Sequence, residues 1–197
     1  MKYKLYHALL FSFLLVACSS GNDNLQKDPK EWASALTCEP DFQRFTNEYL
    51  SICYPNEWLI DDSGVFGSEV MFTRAVPDSV ALGRTFTQNV NVMKQADSKL
   101  VSLGINNLDE FAKFSKEQIE KALFESDILS YEKCTLGKIP AYHNQMIANQ
   151  NGMDLFFDQY MVHKGKFYFI ITFTAPVKVS EKDKKFAQSI MNTIRFR

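Results

Sequence analysis

Between residues 141 and 175 the chain carries three extended runs separated by two compact turn signals, and this stretch restricts the fold more than any other. Runs 141–148 and 155–162 flank Asn149-Gln150-Asn151-Gly152, and Lys164-Gly165 leads into 167–175. Turns this short join antiparallel strands, because a parallel return needs a crossover of a dozen or more residues. The expected unit is a three-stranded antiparallel meander. Its third strand contains Phe167-Tyr168-Phe169-Ile170-Ile171, apolar at every position rather than at alternate ones. A strand of that kind is covered on both faces, so the rest of the chain has to supply a layer on each side of the sheet.

The flanking patterns offer those layers. Residues 49–54 put Leu50, Ile52 and Tyr54 on one side and end at Pro55, and residues 58–60 continue extended. Asp61-Asp62-Ser63-Gly64 reads as a turn. Further strands are expected at 70–75 and 86–93, the latter alternating Phe86, Gln88, Val90 and Val92 with Thr87, Asn89 and Asn91. A helix is expected from Asn107, with Glu110 as its capping partner and Leu108, Phe111, Ala112, Ile119, Ala122 and Leu123 at helical spacing to about residue 124. Another starts at Ser180, with Asp183 at its third position and Phe186, Ala187, Ile190, Met191 and Ile194 as its apolar stripe. A short helix is expected over 25–36, after Pro29. Strands, helix, strands, helix define an α+β protein, an α/β/α sandwich with a mainly antiparallel sheet. The chain has 197 residues, 46% hydrophobic and 23% charged, which suits such a core and excludes a disordered chain. Lys plus Arg (22) nearly equals Asp plus Glu (23), so no single-sign field points to nucleic acid as a partner.

The first eighteen residues, MKYKLYHALLFSFLLVAC, have a different character. Lys2 and Lys4 form a basic head, and residues 8–17 are apolar apart from Ser12. A core of this length is that of a signal peptide and is too short to cross a bilayer as a permanent helix. Leu15-Val16-Ala17-Cys18 resembles a bacterial lipobox, in which cleavage precedes the cysteine and the Cys18 thiol takes a diacylglyceryl group. Each buried methylene is worth roughly 0.8 kcal/mol, so two or three acyl chains hold where one is marginal. The expected organisation is a lipoprotein signal peptide at 1–17, a tether and N-terminal extension at 18–47, and a domain at 48–197. The tether begins with polar and small residues, Ser19-Ser20-Gly21-Asn22-Asp23-Asn24. Cleavage would leave twenty basic and twenty-three acidic residues. Ser19, in place of the aspartate that retains lipoproteins in the inner membrane of enteric-type bacteria, points to the periplasmic face of the outer membrane. A Gram-positive cell surface is the alternative.

Three further cysteines remain, Cys38, Cys53 and Cys134. An exported compartment permits one disulfide and leaves one thiol unpaired. Cys38 with Cys53 closes the shortest loop and meets most often in an unfolded chain; Cys134 is the alternative partner, and three buried free thiols are a further reading.

Candidate chemistry is sparse. His143 and His163 are the histidines beyond the leader, both on the hairpin that turns near Gln150 or Asn151, which sets His143 opposite about Asp158. No C-x-x-C or H-x-x-x-H spacing accompanies them, so no metal site is expected, and a Cys–His nucleophile pair has no better support. No serine lies in a G-x-S-x-G elbow and no glycine-rich phosphate loop occurs. Asp61-Asp62 reads as turn chemistry rather than a calcium loop, Asp109-Glu110 as a favourable helix N-terminus, and Lys182, Lys184 and Lys185 as a solvated helix face. Trp32, Trp58 and most phenylalanines are expected in the core, with any exposed remainder available for docking.

Several of these features together resemble the PsbP-like family, which includes the extrinsic photosystem II protein, its bacterial relatives and DcrB-type lipoproteins. They are the opening strand ending Tyr54-Pro55-Asn56-Glu57-Trp58, the Asn89-Val90-Asn91-Val92 strand and the helix from Leu108. Gly137-Lys138-Ile139-Pro140-Ala141-Tyr142, the Gly165-Lys166 turn before an aromatic strand and the amphipathic C-terminal helix complete the set, over about 48–196. The resemblance implies an α/β/α sandwich and a non-enzymatic role, typically docking on a membrane complex, with no cofactor. The expected function is a lipid-anchored envelope module that binds or stabilises a protein partner. The alternative is a carrier or receptor that holds a small molecule in an apolar pocket of the sandwich.

Overall fold

A computed structural model of the chain describes residues 36–64, 67–80, 84–122 and 124–197. The signal peptide expected at 1–17, Cys18, Trp32 and most of the helix expected over 25–36 lie outside these residues. Twelve strands and three helices are described: β1 (Phe42–Thr46), β2 (Leu50–Pro55), β3 (Trp58–Asp61), β4 (Val70–Arg74), β5 (Asp78–Val80), β6 (Arg84–Phe86), β7 (Asn89–Ala96), α1 (Asp97–Val101), α2 (Leu108–Ala122), β8 (Phe124–Leu136), β9 (Ile139–Gln150), β10 (Met153–Lys164), β11 (Phe167–Pro176), α3 (Glu181–Asn192) and β12 (Arg195–Phe196). Seven strands form the main sheet in the order β3-β4-β7-β11-β10-β9-β8, every pairing antiparallel. The smaller sheets are β1-β2-β12 and β5-β6.

The β9–β10 turn is set by two residues in the left-handed region, Asn151 (φ 54°) and Gly152 (φ 76°). An Asn-Gly pair of this kind closes a two-residue hairpin whose twist matches that of its strands. The register follows, with Met153 opposite Gln150 and Tyr160 opposite His143. His143 is thus two positions away from the expected partner Asp158, because the turn centres one residue later than Gln150–Asn151. β11 lies mid-sheet and is buried at every position from Tyr168 to Ala175, as its unbroken apolar run requires.

One face of the main sheet is covered by α3 and β2. Val90, Val92, Phe169, Ile171 and Phe173 pack there against Leu50, Ile52, Ala187, Ile190 and Met191. Ser180 caps α3 by accepting the Asp183 N–H at 3.1 Å, and at the other end the Thr193 hydroxyl accepts the Cys53 N–H at 2.9 Å, tying the helix to β2. The opposite face is covered by α1 and α2. Asn107 caps α2 by accepting the Glu110 N–H at 2.9 Å, while Glu110 reaches back to the Asn106 N–H at 2.7 Å. The architecture is an α+β sandwich with a mainly antiparallel sheet.

Four elements depart from the sequence expectation. β8 fills thirteen residues that were not expected as a strand, so the meander has four strands rather than three. It is an edge strand with register shifts at Phe124/Asp127 and Ile128/Ser130, and these breaks remove the alternation that marks a strand. The helix expected to reach residue 124 ends at Ala122 because β8 begins there. The strand expected over 86–93 is two strands, β6 and β7, which belong to different sheets. β1, in the stretch read as an N-terminal extension before residue 48, pairs with β2 from Phe42↔Pro55 to Thr46↔Ser51, so the packed body begins ahead of that boundary.

Candidate functional site

On the α2 side the apolar core is in two pieces. One contains Leu100, Ile105, Phe111, Met161, Tyr168 and Ile170, the other Phe86, Ile119, Met146, Leu155 and Phe157. A single rung of the sheet runs between them and is polar on four adjacent strands: Asn91 (β7) opposite Thr172 (β11), Thr172 opposite Gln159 (β10), and Gln159 opposite Asn144 (β9). Asn91, Thr172 and Asn144 are all buried. Gln159 Nε2 donates to Thr172 Oγ1 at 3.1 Å, and Asn144 Nδ2 donates to Gln159 Oε1 at 3.4 Å. The ends of the rung stay open: the side-chain carbonyl oxygens of Asn91 and Asn144 are buried without a donor. Buried polar atoms are paired in the great majority of cases, because leaving one unmet costs roughly 1–3 kcal/mol.

Above this rung, α2 carries Ser115 between Phe111 and Ile119, at four-residue spacing along its inner stripe. All three are buried, and the small Ser115 side chain lines a pocket of about 770 Å3, counted to its open mouth. Asn91, Gln159 and Thr172 form its polar floor, with Asn89 and Thr174 from the next rung. Phe86, Met93, Ile119, Met146, Phe157 and Ile170 supply apolar walls. A concave, mostly apolar cavity with a few convergent polar groups is the usual form of a small-molecule site.

The sequence alternation in β7 shows Asn89 and Asn91 as one side of a strand, but not that α2 covers that side. Gln159, Thr172 and Thr174 are likewise inward-facing only once the register is known. The available signal is period-two polar residues in strands otherwise apolar enough to be covered on both faces.

The residues weighed for chemistry lie elsewhere. His143 and Asp158 face α3 on the other side of the sheet, where Asp158 is fully buried, bonded to His143 Nε2 and accepting from Gln188 Nε2 at 3.2 Å. The His143 ring stacks on Tyr160 at 4.5 Å. Burial pulls the His143 pKa down, but the hydrogen bond and charge of Asp158, with the charge of Glu132, outweigh it and the net shift is upward. Burial, then Asp158, pushes the Tyr160 hydroxyl up to about 12. His163 sits at the far end of the sheet, bonded to Asp97 at 3.0 Å and stacked on Tyr168 at 4.2 Å.

Cys38 and Cys53 are joined as a disulfide, with Cα atoms 5.6 Å apart, and Cys134 keeps a free thiol. Burial and the charge of Glu132 raise the Cys134 pKa, opposite to what a thiolate nucleophile needs. Asp61 accepts from the Ser63 N–H and hydroxyl at 2.9 and 2.6 Å, the hydrogen bonding of a turn. Asp109 also binds Lys133 at 2.8 Å and the Tyr142 hydroxyl at 3.0 Å, pinning α2 to the meander, and these bonds lower its pKa. Lys184 pairs with Glu181 at 2.7 Å and lies over the Phe156 ring. Among the described residues no group of three or more His, Cys, Asp or Glu side chains is placed to hold a metal.

No family model matches the sequence, and no curated protein matches it either. Similarity appears at the level of structure. A cyanobacterial PsbP from Synechocystis superposes with a TM-score of 0.56 at 13% identity, over 83% of this chain and 99% of that one. A Pseudomonas aeruginosa protein of unknown function gives 0.54 at 15% identity, over 79% and 97%. LpqN of Mycobacterium tuberculosis, described as involved in cell envelope biogenesis, gives 0.51 at 14% identity, over 75% and 82%. At these identities the likeness is one of fold: the chain has a PsbP-like fold.

Proposed function

We propose that the chain is an exported, lipid-anchored, non-catalytic binding module that holds a small molecule in the pocket between α2 and the main sheet. The observation that carries this reading is the buried, unpaired carbonyl of Asn91 on the floor of a cavity with apolar walls. The titratable groups support a binding role rather than catalysis, since His143 and Asp158 are engaged in holding α3 and His163 in holding the start of α1. Extraction of protein purified from its own membranes should release a small molecule that is missing from Ser115→Leu, whose larger side chain occupies the pocket. Equal recoveries of nothing from both proteins contradict the reading.

Export and anchoring rest on residues 1–18, with Ser19 favouring the periplasmic face of the outer membrane. The Cys38–Cys53 disulfide supports export, because such bonds persist in oxidising compartments, and the envelope role printed for LpqN agrees with it. Intact-mass analysis should find residues 1–17 removed and acyl chains on Cys18. An unprocessed or acyl-free chain contradicts the anchor. Docking on an envelope protein is a second reading, favoured by Leu59 and Ile60, exposed on the edge strand β3. A cross-linked partner lost in Ile60→Lys would establish it. The other large exposed apolar side chains lie on different elements, with Val101 and Leu103 at the end of α1 and Leu129 on the opposite edge strand β8, and the pocket is the better-formed site.

A further inference from the structure

We infer that the pocket selects an uncharged molecule with an apolar body and at least one hydroxyl or amide N–H, which it donates to Asn91 Oδ1. This rests on the reading of the pocket as a small-molecule site and adds the chemistry of the ligand. Its walls and floor are Asn, Gln, Ser, Thr, Met, Phe and Ile, with no ionisable side chain among the described lining residues. A carboxylate or phosphate drawn into this space would lose its hydration and find no counter-charge, which is prohibitive for an ion and tolerable for a neutral polar group that finds a hydrogen bond.

The hydrogen-bond inventory of the rung sets the polarity of the missing partner. Thr172 Oγ1 already accepts from Gln159, and Gln159 Oε1 already accepts from Asn144. Two acceptors remain unmet, the carbonyl oxygens of Asn91 and Asn144, and of these two residues Asn91, 3% exposed, is the one that lines the pocket. An acceptor is completed by a donor, so the ligand brings an O–H or N–H. Its apolar part is fixed by what flanks the rung: Met93 and Ile170 on one side, Phe86, Ile119, Met146 and Phe157 on the other. If the floor were only structural, an apolar residue at position 91 would serve the fold better, since it would join the two halves of the core without an unpaired atom.

The test uses the full-length chain in lipid nanodiscs with 13C-labelled methionine methyl groups, which report locally and are insensitive to ligand dissolved in the bilayer. Met93 and Met146 line the pocket, and Met191 lies on the opposite face of the sheet as the control. The probes are octan-1-ol, its methyl ether (an acceptor without a donor) and octanoate (an anion at neutral pH). Octan-1-ol should shift Met93 and Met146 and leave Met191 in place. The ether and octanoate should bind about tenfold more weakly, the ether because the Asn91 acceptor is then left unpaired. Asn91→Leu should abolish the preference for alcohol over ether, with an unchanged Met191 signal reporting an intact fold. Ser115→Leu should remove the response to every probe. Octanoate binding as tightly as the alcohol overturns the neutral-ligand assignment. Ether binding as tightly, or a preference that survives Asn91→Leu, overturns the donor assignment. If no probe moves Met93 or Met146, it is the small-molecule reading of the pocket itself that falls.

Discussion

Asp158 is the residue on which the α3 side of the molecule turns. A carboxylate with no exposed surface is sustained only by the groups around it, here the His143 imidazole and the Gln188 amide. Removing one member of such a set leaves the others buried and unmatched, which typically costs 3–5 kcal/mol. Asp158→Ala is therefore expected to lower stability by about 3 kcal/mol in chemical denaturation. The same contact has a pH signature. Because the folded-state pKa of His143 lies above its ordinary value of 6.5, its stabilisation is present in full below that value and is lost as pH rises through the higher folded-state pKa. Asp158→Asn, which removes the charge that raises it, should flatten this decline relative to the parent, as read from denaturation midpoints between mildly acidic and mildly alkaline pH. A variant with the parent's profile would show that another group is responsible.

Among elements, those with strong local chemistry are legible in the sequence. α3 begins where Ser180 and Asp183 say it should, and its buried side chains include Ala187, Ile190 and Met191 from the expected stripe. The hairpin at Asn151-Gly152 and the covered strand β11 are equally plain. Ser180→Ala removes the side-chain acceptor for the Asp183 N–H and should cost about 1 kcal/mol, measured by thermal or denaturant unfolding; a change near zero would mean that docking of α3 fixes its end without the cap. β8 and the pocket are not legible, for related reasons. β8 gains its order from 12-residue β9 beside it, and its bulges break the period that a strand would show. The pocket depends on register: Asn91, Thr172, Gln159 and Asn144 are far apart in sequence and share a rung only because three antiparallel pairings align them. Ser115 reads as one ordinary polar position in a helix until the rung beneath it is known.

At the scale of the whole molecule, the sandwich is asymmetric. The face under α3 has one continuous core with the hydrogen-bonded His143–Asp158 pair on the same side of the sheet, and the face under α2 has a core divided by a polar rung and an open cavity. The Cys38–Cys53 disulfide fastens the chain entering the domain to the first face, through β2. With a sequence separation of 15 residues, the bond should contribute roughly 3 kcal/mol by restricting the unfolded chain. Cys38→Ser, or reduction, is expected to lower the denaturation midpoint accordingly while leaving the pocket's lining in place. The proposed function gives the two faces separate tasks, the continuous one holding the fold and the hollow one holding a guest. A crystal structure of the protein isolated from its native source tests that division most directly. It should contain a non-protein molecule between α2 and the sheet, within hydrogen-bond distance of Asn91 Oδ1. A cavity closed by inward movement of Phe86, Met93 or Met146, or filled by water alone, would contradict it.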